Sequence, residues 1–235
     1  MKHSKRYKSL LKYRDRPYYP LTEAIELVKK TATAKFDESV DLAVRLGVDP
    51  KKQNQMVRGS ANLPFGTGKR VRVLVITKGE KEKEAKEAGA DYVGGEEYLE
   101  KIKNGWLEFD YIVATPDMMP QLGRLGKILG PKGLMPSPKT NTVTFDIGDA
   151  VRSLKKGRIN FKTDRTGNVH TIVGKVSFET EKLRKNILAL LSEILRLKPS
   201  GLKGQYLKSV TLSSSMGPGF SLDMKELLDC LRRGE

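Results

Sequence analysis

Two hydrophobic patterns run along this chain. In LTEAIELVKKTA, 21–32, Leu21, Ala24, Ile25 and Val28 recur at helical spacing, with Thr22 placed to cap the start. In FDESVDLAVRLGV, 36–48, Val40, Leu42, Val44 and Leu46 alternate, which predicts a strand with one buried face that ends at Asp49 and Pro50. MVRGSANLP, 56–64, alternates again and reads as a partner of that strand, as a hairpin or at longer range. After PFGTGKR, 64–70, the pattern changes. VRVLVIT, 71–77, is apolar enough for a buried parallel strand, and KGEKEKEAKEAGA, 78–90, reads as a charged helix with Gly89 near its end. DYVGG, EEYLEKIKNG and FDYIVAT then predict strand, helix and strand, so the middle of the chain is a small α/β layer structure.

From residue 157 the alternation of a half-exposed sheet returns. GRINFKTDRTGNVHTIVGKVSF holds two alternating runs around DRTGN, a junction suited to a hairpin. Residues 179–201 form a long amphipathic helix whose apolar face is Leu183, Ile187, Leu190, Leu191, Ile194 and Leu195. YLKSVTLSSS is a strand that runs into the uncharged, glycine-rich SSSMGPG, either a plain turn or a place where backbone and small hydroxyls meet a ligand closely. The ends thus read as α+β and the middle as α/β. The expected organisation is a discontinuous domain of 1–66 with 158–235, interrupted by an inserted domain of 67–157.

Charge sharpens this division. The chain of 235 residues carries a formal charge of +16. Residues 1–66 hold 14 basic and 7 acidic side chains and 158–235 hold 14 and 8, whereas 67–157 hold 16 and 13. The two ends therefore carry most of the excess, which favours a polyanion, nucleic acid first, as partner. One cysteine, Cys230, excludes an internal disulfide framework and a cysteine-based metal cluster. No apolar run approaches a membrane span and the basic N-terminus lacks the apolar core of a secretory signal, so the expectation is a cytoplasmic protein with no membrane partner.

Catalytic chemistry finds little support. His3 and His170 are the two histidines, no nucleophile–base pairing stands out, and GRLGKILGPKG matches neither the phosphate-loop nor the dinucleotide fingerprint. We expect no enzyme activity, no metal and no cofactor. The basic clusters are stronger material. The N-terminus sets Lys2, Lys5, Arg6, Lys8, Lys12, Arg14 and Arg16 beside Tyr7 and Tyr13, types that neutralise phosphate and stack or hydrogen-bond. Lys35 and Phe36 precede a strand, with Phe36 either core or a stacking surface, and Lys162, Arg165, His170 and Lys175 are candidates for one shared surface. MMPQLGRLGKILGPKGLMPSPKT, 118–140, reads as a shaped loop carrying Arg124, Lys127, Lys132 and Lys139, either a ligand contact or a packing lid.

Taken together, DMMPQLGRLGKILGPKGLMPSPKT, KFDESVDLAVRLGVDP, VRGSANLPFGTGK and SSSMGPG resemble the bacterial-type ribosomal protein L1 (uL1) family, over roughly residues 3 to 220. The resemblance implies an RNA-binding domain I from both chain ends and an inserted, Rossmann-like, three-layer domain II. It implies a structural, ribosome-associated protein of the large subunit that is monomeric when free. Such a protein binds 23S rRNA at the mobile stalk near the exit site and assists release of deacylated tRNA. It also represses its own mRNA through a similar RNA fold. The implied rRNA and mRNA contacts fall on Lys35, Phe36, Ser215, Met216 and Gly217, with Lys5, Arg6, Lys162 and His170 assisting. Arg124, Lys127, Lys132 and Lys139 are the implied tRNA or secondary RNA contacts. The chain departs from the family pattern at Ser215, where threonine is frequent, at Asn141, where glycine is usual, and in the tail 220–235.

Overall fold

A computed structural model describes residues 4–52, 55–79, 81–202 and 204–233. The N-terminal part of the chain supplies α1 (Lys5–Leu10), α2 (Leu21–Thr31), β1 (Ser39–Leu46) and β2 (Arg58–Asn62). Then follow β3 (Val73–Ile76), α3 (Lys81–Glu87), β4 (Tyr92–Gly94), α4 (Glu96–Lys103), β5 (Tyr111–Ala114), α5 (Met119–Arg124), α6 (Gly126–Leu129) and α7 (Ile147–Lys155). The C-terminal part of the chain supplies β6 (Arg158–Lys162), β7 (Asn168–Lys175), α8 (Thr180–Arg196), β8 (Leu207–Ser214), β9 (Gly219–Ser221) and α9 (Met224–Arg233). The chain divides into two compact units, Met1–Gly68 with Ile159–Glu235, and Lys69–Arg158. Where the chain passes from one unit to the other, Gly68 (φ 71°) and Gly157 (φ 108°) hold a backbone conformation that only glycine adopts at little cost.

The first unit is built on an antiparallel sheet in the order β7-β1-β8-β9. Alternation in β1 buries Val40, Leu42, Val44 and Leu46 on one face, where they join Val169, Val173, Val210 and Leu212. Helices α2 and α8 cover that face with Ile25, Val28, Leu183, Ile187, Leu190, Leu191 and Ile194, while Leu195 is only partly buried. Each fully buried side chain of this kind contributes about 1.5–3 kcal/mol. Asn186 sits on the same helix face, wholly buried, and is satisfied by Phe65 N–H (3.1 Å), Gly66 O (2.9 Å) and Val173 O (2.8 Å). The C-terminal residues also belong to this core. Phe220, Leu222 and Leu227 are buried, and Asp223 N–H donates to Tyr19 O at 2.9 Å.

Three local expectations are corrected. Residues 58–62 do not pair with β1, whose two edges are filled by β7 and β8; β2 pairs instead with β6 in a separate sheet. Thr22 is no cap, because α2 starts at Leu21 behind Pro20 and no side chain caps it. The 118–140 segment is not a loop throughout: α5 and α6 turn Leu122, Leu125 and Leu129 inward, and Pro138–Thr140 is a 3-10 turn. The DRTGN junction does turn, with Asp164 N–H donating to Asn168 O at 2.8 Å and Thr163 bridged to Val169. Beyond it β6 and β7 part into different sheets.

The second unit is a parallel sheet in the order β4-β3-β5. Strand β3 is buried on both sides, as its unbroken apolar run requires. Val73 and Val75 pack with α3 and α7, and Leu74 and Ile76 pack with α4, α5 and α6, giving three layers. Asn141 takes the left-handed conformation (φ 48°) in the turn after Pro138–Thr140, the one non-glycine residue to do so among the described residues.

Candidate nucleic-acid interface

Strand alternation continues one step ahead of β1. Glu38 shares the phase of Val40 and Leu42 and is turned inward, 1% exposed. Its Oε1 accepts the Ala34 N–H at 2.9 Å and its Oε2 accepts the Met216 N–H at 2.9 Å. One carboxylate thus ties the turn before β1 to the turn after β8. Burial alone pushes the carboxyl up; the two N–H donors, the Ser214 hydroxyl and the Arg6 charge outweigh it and lower the group below its ordinary value. A second tie lies beside the first. Ser215 N–H donates to Ser39 O at 3.1 Å, and Ser39 N–H donates to Ser215 Oγ at 3.1 Å.

On this frame Phe36 and Met216 stand out, 58% and 51% exposed. Two large apolar side chains are thus left in water on joined turns, and Phe36 is not core. Lys35 beside Phe36 is exposed. Arg6 of α1 is directed onto the protein: its Nη2 donates to Met216 O at 3.0 Å and its Nη1 to Thr33 Oγ1 at 3.4 Å. Lys5 on the same helix is exposed, while Lys2 and His3 lie outside the described residues. Gly217 is needed for space and not for a left-handed backbone. A Cβ there would meet Ser214 Oγ at 2.5 Å, within the protein itself.

The other face of the sheet carries exposed and half-buried side chains in its cross-strand rows. Its rows are Ile172, Asp41 and Ser213; His170, Ala43 and Thr211; and Asn168, Arg45 and Ser209. A cavity of about 440 Å³ opens here, lined by Arg45, Thr166, Asn168, His170, Ser209 and Thr211 among others. Asp41 is pushed up by burial, opposed by the charges of Lys175 and His170. At the end of the face, Asp164 accepts the Thr166 and Asn168 N–H groups, both at 2.8 Å. Led by the Asn168 N–H, these bonds lower its carboxyl to about 2. His170 Nε2 stands 3.7 Å from Asp164 Oδ2.

The structure therefore brings Lys35, Phe36, Ser215, Met216 and Gly217 onto one pair of turns, which Arg6 reaches from α1. His170 lies on the same sheet, paired with Ala43, which is roughly 13 Å along β1 from Ser39. Lys162 is exposed on β6, at the other side of the 163–169 turn, and Lys175 donates to Asp37 O and Ser39 Oγ at 3.2 and 3.0 Å. Arg124, Lys127, Lys132 and Lys139 are exposed and belong to the second unit. Glu38 escaped the sequence reading, although its in-phase position before β1 was the signal. Among the described residues no cluster of His, Cys, Asp and Glu could hold a metal ion, and no helix is long and apolar enough to cross a membrane.

Residues 28–218 match the Ribosomal protein L1p/L10e family. The chain is also 55% identical over 224 residues to the large ribosomal subunit protein uL1 of Thermobifida fusca (strain YX), covering 95% of each protein. With a two-unit α/β fold and a match that spans nearly its whole length, the chain belongs to the Ribosomal protein L1p/L10e family.

Proposed function

We propose that this protein is a structural, ribosome-associated component of the large ribosomal subunit in the cytoplasm, and that it binds large-subunit ribosomal RNA through its first unit. Its work is recognition and not catalysis. The observation that carries the reading is the pair of turns joined by Glu38, which expose Phe36 and Met216 beside Lys35. Folded RNA presents unstacked bases, phosphates and 2′-hydroxyls, and an exposed aromatic ring with a neighbouring cation suits the first two. The open sheet face with Arg45, His170 and hydroxyl side chains extends that surface.

Family membership supports the finer reading as well. The RNA is the 23S rRNA of the mobile stalk near the exit site, and a similar fold on the protein's own mRNA is the target for translational repression. The protein is a monomer when free and assists release of deacylated tRNA, with Arg124, Lys127, Lys132 and Lys139 of the second unit as the tRNA or secondary RNA contacts. A gel-shift titration of the full chain against a folded stalk-RNA transcript, a transcript of its own mRNA leader, and poly(U) tests this. Preference for both folded RNAs over poly(U) at matched salt is expected. Equal affinity for all three contradicts the reading.

A further inference from the structure

We propose that Glu38 and Arg6 are positioning residues that pre-shape the Ser215–Gly217 turn for RNA without touching RNA themselves. This rests on the reading of that turn as an RNA contact. The geometry is a clamp on both polar groups of a single peptide residue. Met216 donates its N–H to Glu38 Oε2 at 2.9 Å, and its carbonyl accepts from Arg6 Nη2 at 3.0 Å. Glu38 is 1% exposed, so a ligand has no access to its carboxylate, and its other oxygen is taken by Ala34 N–H at 2.9 Å. Arg6 also holds Thr33 Oγ1, in the turn that leads to Lys35 and Phe36. Both clamp residues thus reach both turns. With the backbone of Met216 held at both its N–H and its carbonyl, the point from which its exposed side chain leaves the turn is fixed. A turn fixed beforehand loses less conformational entropy on binding.

The inference reassigns a basic residue. An arginine on a basic N-terminal helix reads from sequence as a phosphate contact, whereas here its guanidinium is directed at a carbonyl and a hydroxyl of its own protein. The two roles differ in salt dependence, because each neutralised phosphate adds roughly 0.7–0.9 to the slope of log K against log salt. A positioning residue changes affinity and leaves that slope alone.

The test is a salt titration of stalk-RNA and poly(U) binding by the full chain and the variants Glu38→Gln, Arg6→Ala and Lys35→Ala. Glu38→Gln keeps the shape but places an amide donor against an N–H group. Arg6→Ala sits on an exposed helix and cannot collapse the core. Both are expected to weaken stalk-RNA binding about tenfold with unchanged slope and unchanged poly(U) binding, and to speed hydrogen exchange at the Met216 amide in the free protein. Lys35→Ala, the phosphate-contact control, is expected to lower the slope. A slope lowered by Arg6→Ala as by Lys35→Ala overturns the positioning role of Arg6. Stalk-RNA affinity unchanged in both clamp variants, while the wild type still prefers that RNA, overturns the inference alone. A wild type with no preference removes the functional reading and this inference with it.

Discussion

Gly217, in the turn after β8 of the first unit, and Gly123 and Gly126, in the 118–133 segment of the second, are there for opposite reasons. At Gly217 an added Cβ runs into Ser214 of the same turn, and the backbone of Ser215 and Met216 just before it is bonded to Glu38, Ser39 and Arg6. At Gly123 and Gly126 an added Cβ meets nothing within 4 Å, while the intervening leucines Leu122 and Leu125 are buried. One segment is shaped by its own protein. At Gly123 and Gly126 the bare backbone lies beside exposed Arg124 and Lys127 with no internal demand for glycine, whereas farther along Gly130 would set a Cβ 2.6 Å from Gly126 O and Gly133 takes φ 71°. Glycine content alone does not distinguish them, but the neighbours of the missing Cβ do.

The contrast is broken most forcefully at Glu38. Glu38→Ala leaves two backbone donors without their acceptor and is expected to destabilise the protein by about 2 kcal/mol in urea unfolding, with RNA affinity lost as well. Phe36→Ala comes next and separates function from fold. The ring is 58% exposed, so the unfolding midpoint is expected to hold while stalk-RNA affinity falls about 10- to 100-fold, the range for one base–aromatic stack. The same substitution at the two kinds of glycine then has opposite signs. Gly217→Ala overpacks the turn and is expected to cost about 1 kcal/mol together with affinity. Gly123→Ala, inside α5, is expected to stabilise by about 0.5–1 kcal/mol. Replacing Lys132 and Lys139 together with alanine is expected to leave stalk-RNA affinity within about twofold, since both lie on the second unit.

The smallest effect is one of pH, at the turn that ends the open sheet face. The folded carboxyl of Asp164 stands at about 2, below the ordinary aspartate value. Its bonds to Thr166 and Asn168 therefore contribute fully above roughly pH 4 and are lost as pH falls through the folded value. The amide shifts of Thr166 and Asn168 are expected to move together with a midpoint near 2 in an NMR titration. A midpoint near 4 would show that the turn does not hold the carboxylate.

Alternation and periodicity made much of this legible in advance. The buried faces of β1, β3 and α8 follow directly from Val40 to Leu46, Val73 to Ile76 and Leu183 to Ile194. Pairing of β2 with β6 was not legible, because the partners are separated by the entire inserted unit and no local turn joins them. The helices α5 and α6 were hidden by glycine and proline, whose poor propensity is overridden by burial of Leu122, Leu125 and Leu129. The sequence singled out Phe36 and Met216 but could not decide their exposure. Glu38 was not singled out, although its parity with Val40 points inward. Arg6 was legible as a charge, but its direction depends on residue 216, 210 positions away.

Hydrogen exchange of the full chain with and without folded stalk RNA addresses the division between the two units in a single experiment. New protection is expected at 34–39 and 214–217, with little change across 119–133. Protection concentrated on 119–133, with none at 214–217, would contradict the assignment of RNA recognition to the turn that Glu38 holds.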